Sequence, residues 1–252
     1  MGKMGGSRHL KRLAAPEFWP LLRKEVKWAV KPAPGPHSVG RALPLLMIVR
    51  DVMGYAKSYR EARRLIAEGH FKIDGYVRKD YKFPVGLMDV IEIADTEEFF
   101  RVVPVPVRVM TLVPISRDEA SFKLCRIEDK TTLRGGKLQL NLHDGKNIEV
   151  SLEEAKKLTT MSVVKISIPE YKLLEHIPLN KGVLAAVIGG MNTGKVGRVL
   201  SISGGMRHYR KLVLLEDISG GSFYTSLDKV FVVGVEKPEI TLPVTMKLGE
   251  LK

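Results

Sequence analysis

Residues 58–89 form the segment that most constrains the fold of this chain. At 100° per residue, a helix over residues 58–68 places Arg60, Arg63 and Arg64 together on one face. The opposite face is apolar and carries Tyr59, Ala62, Leu65 and Ile66. We therefore predict an amphipathic helix that packs on a core through one face and presents arginines on the other.

Local signals define the ends of this helix and predict a hairpin after it. Ser58 and Glu61 have the spacing of a capping box, and Gly69 suits the left-handed conformation that ends many helices. Residues 71–78 then flank Asp74-Gly75 as in a tight hairpin, with glycine where a positive φ is needed. Further cations surround the hairpin at Lys72, Arg78, Lys79 and Lys82.

The charge distribution favours phosphate binding at this unit over a merely solvated cationic face. Residues 1–90 contain 18 Lys and Arg against 8 Asp and Glu, whereas residues 91–252 contain 23 against 20. This basic half of a chain with a net charge of +13 predicts a polyanionic partner, nucleic acid ahead of a membrane surface. No apolar run approaches the roughly 18–20 residues that span a bilayer, so we predict no membrane-spanning segment. Of the two polyanionic partners we choose nucleic acid and predict no membrane partner.

The first 40 residues have the composition of a basic extended N-terminal arm, because no periodic apolar face there is long enough to form a core. Trp19 and Trp28 lie among its cations, where each either stacks on bases or docks onto the body. The prolines of residues 31–36 forbid helix and predict a stiff spacer. The candidate RNA-binding residues of the arm are Arg8, His9, Lys11, Arg12, Arg23 and Lys24.

The pattern of residues 41–94 predicts a small module built around the amphipathic helix. Leu43–Met53 is apolar around most of its circumference and predicts a buried helix with Pro44 in the first turn. A strand at Leu87–Ile93 closes the module.

The remaining chain is rich in strand signals. Residues 95–172 predict a central β-rich domain in which the prolines of Phe99–Val113 confine that segment to an edge or an irregular strand. Its other predicted elements are strands at 122–128, 138–142, 147–150 and 163–168 and a helix at 152–158. Residues 173–236 predict a small barrel, since short strands and glycine turns recur at close spacing, and residues 237–252 form a tail.

One glycine-rich stretch imitates a nucleotide-binding loop. Gly189 to Lys195 fits the first seven places of a phosphate-loop motif, but Val196 stands where Ser or Thr must bind Mg²⁺. An alternating strand pattern follows, so no helix N-terminus faces a phosphate. We therefore predict a strand, a glycine-rich turn and a strand. The candidate RNA-binding residues of this region are Asn192, Lys195, Arg198, Arg207, Arg210 and Lys211.

The sequence predicts neither catalysis nor a cofactor. Its six histidines are scattered, none at a metal-ligand spacing, so we expect no metal site. Cys125 is the only cysteine, which excludes an internal disulfide and suits a reducing cytosol, and it lies in an alternating strand pattern as a half-buried residue. No nucleophile motif or carboxylate pair stands out, and we predict no small-molecule substrate.

Two motifs, which follow one another along the chain, resemble those of a known family. Residues 58–89 resemble the RNA-binding module named after bacterial small-subunit ribosomal protein S4, and residues 190–199 resemble a KOW motif, the core of an SH3-like barrel. Together with further matching segments, they make nearly the whole chain similar to the archaeal and eukaryotic ribosomal protein S4e family. Those segments are His9–Leu13, Pro34–His37, Leu43–Leu45, Pro84–Val90 and Phe231–Gly234.

The resemblance implies an α+β, multidomain fold with a helix-pair and hairpin RNA-binding module, a central β-rich domain and a C-terminal SH3-like (KOW) barrel. It also implies a structural, non-catalytic protein of the cytoplasmic small ribosomal subunit, with small-subunit rRNA and neighbouring ribosomal proteins as partners. Residues 225–229 depart from the more basic segment expected there. The alternatives are an RNA-modifying enzyme that uses the module as its grip and a KOW-containing transcription or translation factor that binds only transiently.

Overall fold

Strands dominate the computed structural model, which describes residues 7–22, 24–106, 110–135, 137–204, 211–217 and 220–243. Three antiparallel sheets of five strands and two strand pairs account for the strands of these residues. The helices are short, so the architecture is mixed α/β and mostly strands.

The N-terminal segment is ordered by contacts with the body of the protein. Strand β1 (Leu10–Lys11) pairs with β2 (Trp28–Ala29), and a 3-10 turn (Arg12–Ala14) follows β1. Trp19 is buried, and its indole Nε1 donates a 3.0 Å hydrogen bond to the carbonyl oxygen of Ala42. Of the two uses considered for the tryptophans, Trp19 therefore docks onto the body.

The buried helix after the arm begins later than predicted. Strand β3 (Ala42–Pro44) pairs with β6 (Pro84–Gly86), so the backbone is still extended at Pro44. Helix α1 (Leu45–Met47) starts after that proline and continues as a π-helical turn (Ile48–Val52). The predicted burial is confirmed, because every residue from 45 to 49 is inaccessible to solvent.

The amphipathic helix and the hairpin are confirmed. In helix α2 (Tyr59–Glu68), Ser58 Oγ accepts a hydrogen bond from the Glu61 backbone, and the Glu61 carboxylate accepts one from the Ser58 backbone. Gly69 ends the helix with a φ of 97°. Strands β4 (Phe71–Ile73) and β5 (Tyr76–Val77) then form the hairpin, and both residues of its Asp74-Gly75 turn have positive φ.

The sheet of the module extends beyond residue 95. Its order is β5-β4-β7-β8-β9, in which the last three strands are β7 (Val90–Ile93), β8 (Glu98–Val103) and β9 (Thr111–Ile115). The prediction of an edge or irregular strand from residue 99 is wrong for β8, which lies between two partners. Pro104 and Pro106 follow the end of β8, and Pro114 lies in the edge strand β9; residues 107–109 lie outside the description. The strand predicted from Leu87 begins only at residue 90, because Met88 adopts a φ of 66°.

The central sheet confirms the predicted strands and adds one. The elements are α3 (Arg117–Ala120), β10 (Phe122–Thr132), β11 (Leu138–Leu142), β12 (Asn147–Val150), α4 (Leu152–Lys157), β13 (Val163–Ser167) and β14 (Leu173–Ile177). The strand order in the sheet is β12-β11-β10-β13-β14. Strand β14 was not predicted, and β10 is four residues longer than expected at its C-terminal end.

The third sheet contains the glycine-rich turn. Its strands are β15 (Leu184–Val187), β16 (Val196–Ser203), β17 (Leu212–Asp217), β18 (Ser222–Ser226) and β19 (Val230–Gly234). The strand order is β18-β17-β16-β15-β19, and β15 and β16 pair on either side of the turn, as predicted. A 3-10 turn (Leu227–Lys229) leads into β19, and residues 244–252 of the predicted tail lie outside the description.

Gly194 in that turn should not tolerate a side chain. Its φ is +81°, and an added Cβ would lie 2.6 Å from the carbonyl carbon of Val105 and closer still to Pro106. We expect Gly194→Ala to lower the free energy of unfolding by at least ~2 kcal/mol, through left-handed strain and overpacking. Urea unfolding measures the change. Gly189→Ala in the same turn is the control, since its Cβ would meet nothing closer than 3.9 Å and should change stability little. Equal effects of the two substitutions would contradict this explanation.

Candidate nucleic-acid interface

The three arginines of α2 are exposed, and they differ in their contacts. Arg64 Nε donates a 2.8 Å hydrogen bond to Glu68 one turn later, and both side chains remain largely in solvent. The Arg63 guanidinium lies 5.2 Å from the ring centre of Tyr81. Arg60 has no ion pair or hydrogen bond from its side chain within the described residues. The helix therefore presents positive charge that the protein neutralises only weakly.

Aromatic rings join the helix to the hairpin. Lys82 lies 5.4 Å from the Tyr81 ring, which is thus approached by one cation from the helix and one from the segment after the hairpin. Tyr59 packs edge-on against Tyr81 at 5.7 Å. Arg78 lies 4.6 Å from the ring centre of Phe83. We define the basic aromatic face as the surface formed by Arg60, Arg63, Arg64, Arg78, Lys79, Tyr81 and Lys82. Planar guanidinium groups beside aromatic rings can pair with phosphates and stack on bases.

Two tyrosines of this surface have shifted pKa values. Partial burial and a hydrogen bond with Tyr81 raise the pKa of Tyr59 to about 12. The same hydrogen bond lowers the pKa of Tyr81, with Lys82 and Arg63 adding to that shift. Tyr81 was not predicted as a site residue, although its position between Asp80 and Lys82 in a basic segment was a usable signal.

Some predicted cations are engaged inside the fold. Lys72 forms a 2.8 Å ion pair with Glu92 on the neighbouring strand, and the pair is partly buried. Arg12 donates hydrogen bonds of 2.9 and 2.6 Å to the carbonyl oxygen of Leu21. Both residues are therefore less available than the sequence suggested. The remaining predicted cations of the arm are exposed at Arg8, His9, Lys11 and Lys24, and Arg23 lies outside the described residues.

The predicted residues of the third sheet lie around the glycine-rich turn. Asn192 Nδ2 donates a 3.4 Å hydrogen bond to the carbonyl oxygen of Tyr224, which ties the turn to β18. Lys195 is exposed and lies 5.1 Å from the ring centre of Phe223, and Arg198 and Lys211 are also exposed. The remaining predicted cations, Arg207 and Arg210, lie outside the described residues.

A buried charge cluster, absent from the sequence predictions, joins the module to the central sheet. Lys123 Nζ is fully buried and contacts carboxylate oxygens of Asp74 at 2.8 Å, Asp89 at 2.5 Å and Asp144 at 3.1 Å. Lys146 pairs with Asp74 at 2.8 Å, and His37 Nε2 lies 3.0 Å from Asp89. The Asp74-Gly75 turn therefore serves as an ionic anchor as well as a hairpin turn.

Electrostatic pairing overcomes desolvation in this cluster. Burial by itself would raise the pKa of Asp89 and Asp144, but Lys123 and neighbouring imidazoles hold both values well below the ordinary range. Burial would lower the pKa of Lys123, and the three aspartates instead raise it well above its usual value. Asp89, Asp144 and Lys123 are therefore charged at neutral pH.

Cys125, His143 and Asp144 bring three potential metal ligands within 4.8 Å of one another. Their other contacts do not fit a metal. His143 Nδ1 accepts a hydrogen bond from the Arg126 backbone, while its Nε2 lies 3.2 Å from the Leu87 carbonyl oxygen, so both ring nitrogens are engaged. Burial and the Asp144 carboxylate raise the pKa of Cys125, which favours the thiol over the metal-binding thiolate. Lys123 already supplies the positive charge beside Asp144.

His143 should make the stability of the protein depend on pH. Burial, with contributions from Lys123 and His37, lowers its pKa to about 4, although Asp144 opposes the shift. Between pH 6.5 and about 4 the unfolded state then binds a proton that the folded state does not. Stability is therefore fully present above pH 6.5 and falls as the pH drops toward 4. The ring keeps some exposure at a cavity of about 250 Å³, so we expect a loss of about 2 kcal/mol.

Urea unfolding at pH 7 and at pH 4.5 measures this effect. The difference between the two pH values should be about 2 kcal/mol smaller in His143→Gln than in the unchanged protein. Other titrating groups contribute to both proteins and cancel in the comparison. An identical pH dependence in the two proteins would remove His143 as its source.

The fold and the surface together define a class of protein. It is a mostly β protein of the mixed α/β type, in which a capped helix and a hairpin present a cationic, aromatic face suited to a polyanion. Within the part of the chain that the structure describes, no helix combines the length and the apolar character that crossing a bilayer requires.

This chain belongs to the ribosomal protein S4e family. The model for ribosomal family S4e matches residues 96–173, the RS4NT (NUC023) domain matches residues 4–39 and the S4 domain matches residues 43–91. The small ribosomal subunit protein eS4 of Desulfurococcus amylolyticus is 58% identical over 248 residues, covering 96% of this chain and 98% of that protein. The eS4 protein of Methanothermobacter thermautotrophicus is 44% identical, covering 96% of this chain and 99% of that protein.

A solved structure supports the same relationship. The crystal structure of the 30S ribosomal protein S4e from Thermoplasma acidophilum superimposes with a TM-score of 0.65 at 31% identity. The match covers 77% of this chain and 95% of the other.

Proposed function

We propose that this chain is a structural constituent of the small ribosomal subunit that binds small-subunit rRNA and supports translation in the cytoplasm. The observation that carries the proposal is the basic aromatic face on the S4-type module of a chain that is 58% identical to a small-subunit protein along nearly its full length. Neighbouring ribosomal proteins are its other partners. The role is non-catalytic.

The basic aromatic face is the main RNA-binding surface in this proposal. Arg60, Arg63 and Arg64 neutralise backbone phosphates and release condensed counterions, which makes affinity depend on salt. Arg63 and Lys82 flank Tyr81, so a phosphate on these cations would lie beside a ring on which an unpaired base can stack. Exposed cations of the arm extend the contact along the RNA.

The third sheet supplies a second contact. We infer that residues 173–236 form an SH3-like barrel around a KOW motif. Asn192, Lys195 and Arg198 of this barrel contact RNA or a neighbouring protein. The strand–turn–strand geometry and the fixed turn at Gly194 support this inference. The same proposal divides the chain by sequence into an arm to residue 40, the module to 94, the central domain to 172, the barrel and a tail from 237. The sheets cross two of these boundaries, because β8 and β9 join the sheet of the module and β14 joins the central sheet.

Equilibrium binding to rRNA tests the proposed function. The purified chain should bind protein-free small-subunit rRNA at least about tenfold more tightly than large-subunit rRNA of equal length, with log K falling steeply as log salt rises. Filter binding in a salt series from 50 to 400 mM measures both quantities. Equal affinity for both RNAs would reduce the chain to a nonspecific polyanion binder and overturn the proposal.

A further inference from the structure

A groove separates the N-terminal strand pair from the helix of the module. Its volume is about 450 Å³, and apolar side chains such as Leu21, Val26 and Met47 line it. Trp28 from β2 and the tyrosine pair Tyr59 and Tyr81 from the module also line it. The groove therefore combines aromatic rings from two segments that lie about thirty residues or more apart in sequence.

Trp28 is unusual among the aromatic residues of the arm because it is not docked. About 51% of its surface is exposed, whereas Trp19 is buried with its indole nitrogen hydrogen-bonded. His9 packs at a tilt with its ring centre 5.6 Å from that of Trp28, and Lys27 lies 5.7 Å from the ring. An exposed indole beside the Lys27 ammonium group and the His9 ring provides an open stacking surface.

The charges that line the groove favour an anionic ligand. Among the described residues that line it are Arg8, His9, Lys31, Arg50 and Lys82, and none is an aspartate or a glutamate. Lys31 Nζ donates a hydrogen bond to the Ser7 carbonyl oxygen, which holds this ammonium group at the rim. The Arg50 guanidinium pairs with the Asp51 carboxylate. Of the residues named here, the Lys82 ammonium contacts only the Tyr81 ring. A flat aromatic body with an attached negative charge matches such a lining.

We propose that this groove holds one unpaired base of the bound RNA, stacked on Trp28, with its phosphate at the cations of the rim. The proposal rests on the proposed rRNA binding and adds a site for an unstacked nucleotide to it. A volume of about 450 Å³ falls in the range of small-molecule sites, and a duplex cannot enter it. The site also joins the arm to the basic aromatic face, because Tyr81 and Lys82 belong to both surfaces.

Intrinsic fluorescence tests whether a base reaches Trp28. The chain has two tryptophans, so subtracting the emission of Trp28→Phe, which retains only Trp19, isolates Trp28. On addition of protein-free small-subunit rRNA, the Trp28 emission should be quenched and its accessibility to acrylamide should fall. Unchanged Trp28 emission in a complex that filter binding shows to be formed would overturn the base site alone. Failure of the rRNA to bind at all would instead count against the proposed function.

Affinity measurements on variants supply the second readout. Trp28→Leu should weaken rRNA binding about tenfold, as the loss of one stacked base predicts, with an unchanged salt slope because no charge is removed. Trp28→Phe keeps an aromatic ring and should lose much less. Leu13→Ala, on an exposed residue of the arm outside the groove, should bind as the unchanged protein does. The thermal midpoint confirms that each variant is folded.

A neighbouring protein is the competing occupant of the groove. If Trp28→Leu bound rRNA normally and was nevertheless lost from assembled small subunits, the groove would belong to a protein contact and the base site would be overturned. Quenching of Trp28 in the unchanged protein, together with the loss of affinity in Trp28→Leu, supports the nucleotide site.

Discussion

Replacing Lys123 with methionine should lower the free energy of unfolding by about 3–5 kcal/mol at pH 7. The side chain is fully buried, and its ammonium group contacts Asp74, Asp89 and Asp144 at once. Removing it leaves three buried carboxylates with the side chains of Lys146 and His37 and a few backbone N–H groups as partners. A loss of that size corresponds to a thermal midpoint roughly 6–20 °C lower for a chain of this length.

Lys123→Met should also change how the free energy of unfolding depends on pH in acid. The pKa values of Asp89 and Asp144 are held below their ordinary range, so their pairing stabilises the fold above about pH 4 and is lost as the pH falls further. In Lys123→Met these pKa values rise, so the variant should lose less stability on acidification than the unchanged protein. Urea unfolding at several pH values measures both effects.

Lys137→Met is the matched control for this prediction. It removes the same charge from an exposed ion pair with Glu149 and should change stability by less than about 1 kcal/mol. Adding Asp144→Asn to Lys123→Met should restore part of the loss, because one uncompensated charge disappears. A loss below 1 kcal/mol in Lys123→Met would show that the cluster does not hold the two units together.

Arg60→Ala combined with Arg64→Ala should weaken rRNA binding and flatten its salt dependence. Each arginine that contacts a phosphate contributes close to one unit to the slope of log K against log salt, so the slope should fall by about one to two units. The affinity at 0.1 M salt should fall about tenfold or more. The fold should survive, since both side chains lie on the exposed face of α2 and the Arg64–Glu68 pair is solvated. Filter binding in a salt series gives both quantities.

A second double variant controls for the lost charge. Arg134→Ala with Lys137→Ala also removes two exposed cations, but from the turn after β10, which lies outside the candidate interface. It should leave the salt slope unchanged within the error of the measurement. Equal losses in the two double variants would show that total charge governs binding and that the basic aromatic face has no special part in it.

The helix and the hairpin were predictable because their signals are local. Ser58, Glu61 and Gly69 fix the ends of α2 through hydrogen bonds and a backbone conformation that span only a few residues. Asp74-Gly75 specifies the turn in the same way. The glycine-rich stretch was interpreted correctly as a turn between strands because the pattern after Lys195 alternates.

The buried cluster was not predictable from local pattern. Lys123 lies 49 residues from Asp74, 34 from Asp89 and 21 from Asp144 in sequence, and only the tertiary fold brings them together. Charged side chains are rarely fully buried, and the local pattern around Lys123 and Arg126 gives no signal that these two are. Arg126 is instead buried and donates to the Asp228 and Val230 carbonyl oxygens of the third sheet.

Tertiary contacts also decide which cations remain available to a ligand. Lys72 and Arg12 were predicted as RNA-binding residues alongside Arg60, yet Glu92 and the Leu21 carbonyl oxygen engage them. Helix α1 starts later than predicted for a similar reason, because pairing of β3 with β6 keeps the backbone extended through Pro44. Residue type identifies a candidate, and the partners supplied by the fold determine its role.

Sedimentation of a native cell lysate tests the central claim most directly. After a high-salt wash and separation on a sucrose gradient, the chain should be recovered with the small ribosomal subunit, at one copy per subunit by quantitative mass spectrometry. Recovery chiefly among free soluble factors would contradict a structural place in the subunit and would favour a transiently bound factor.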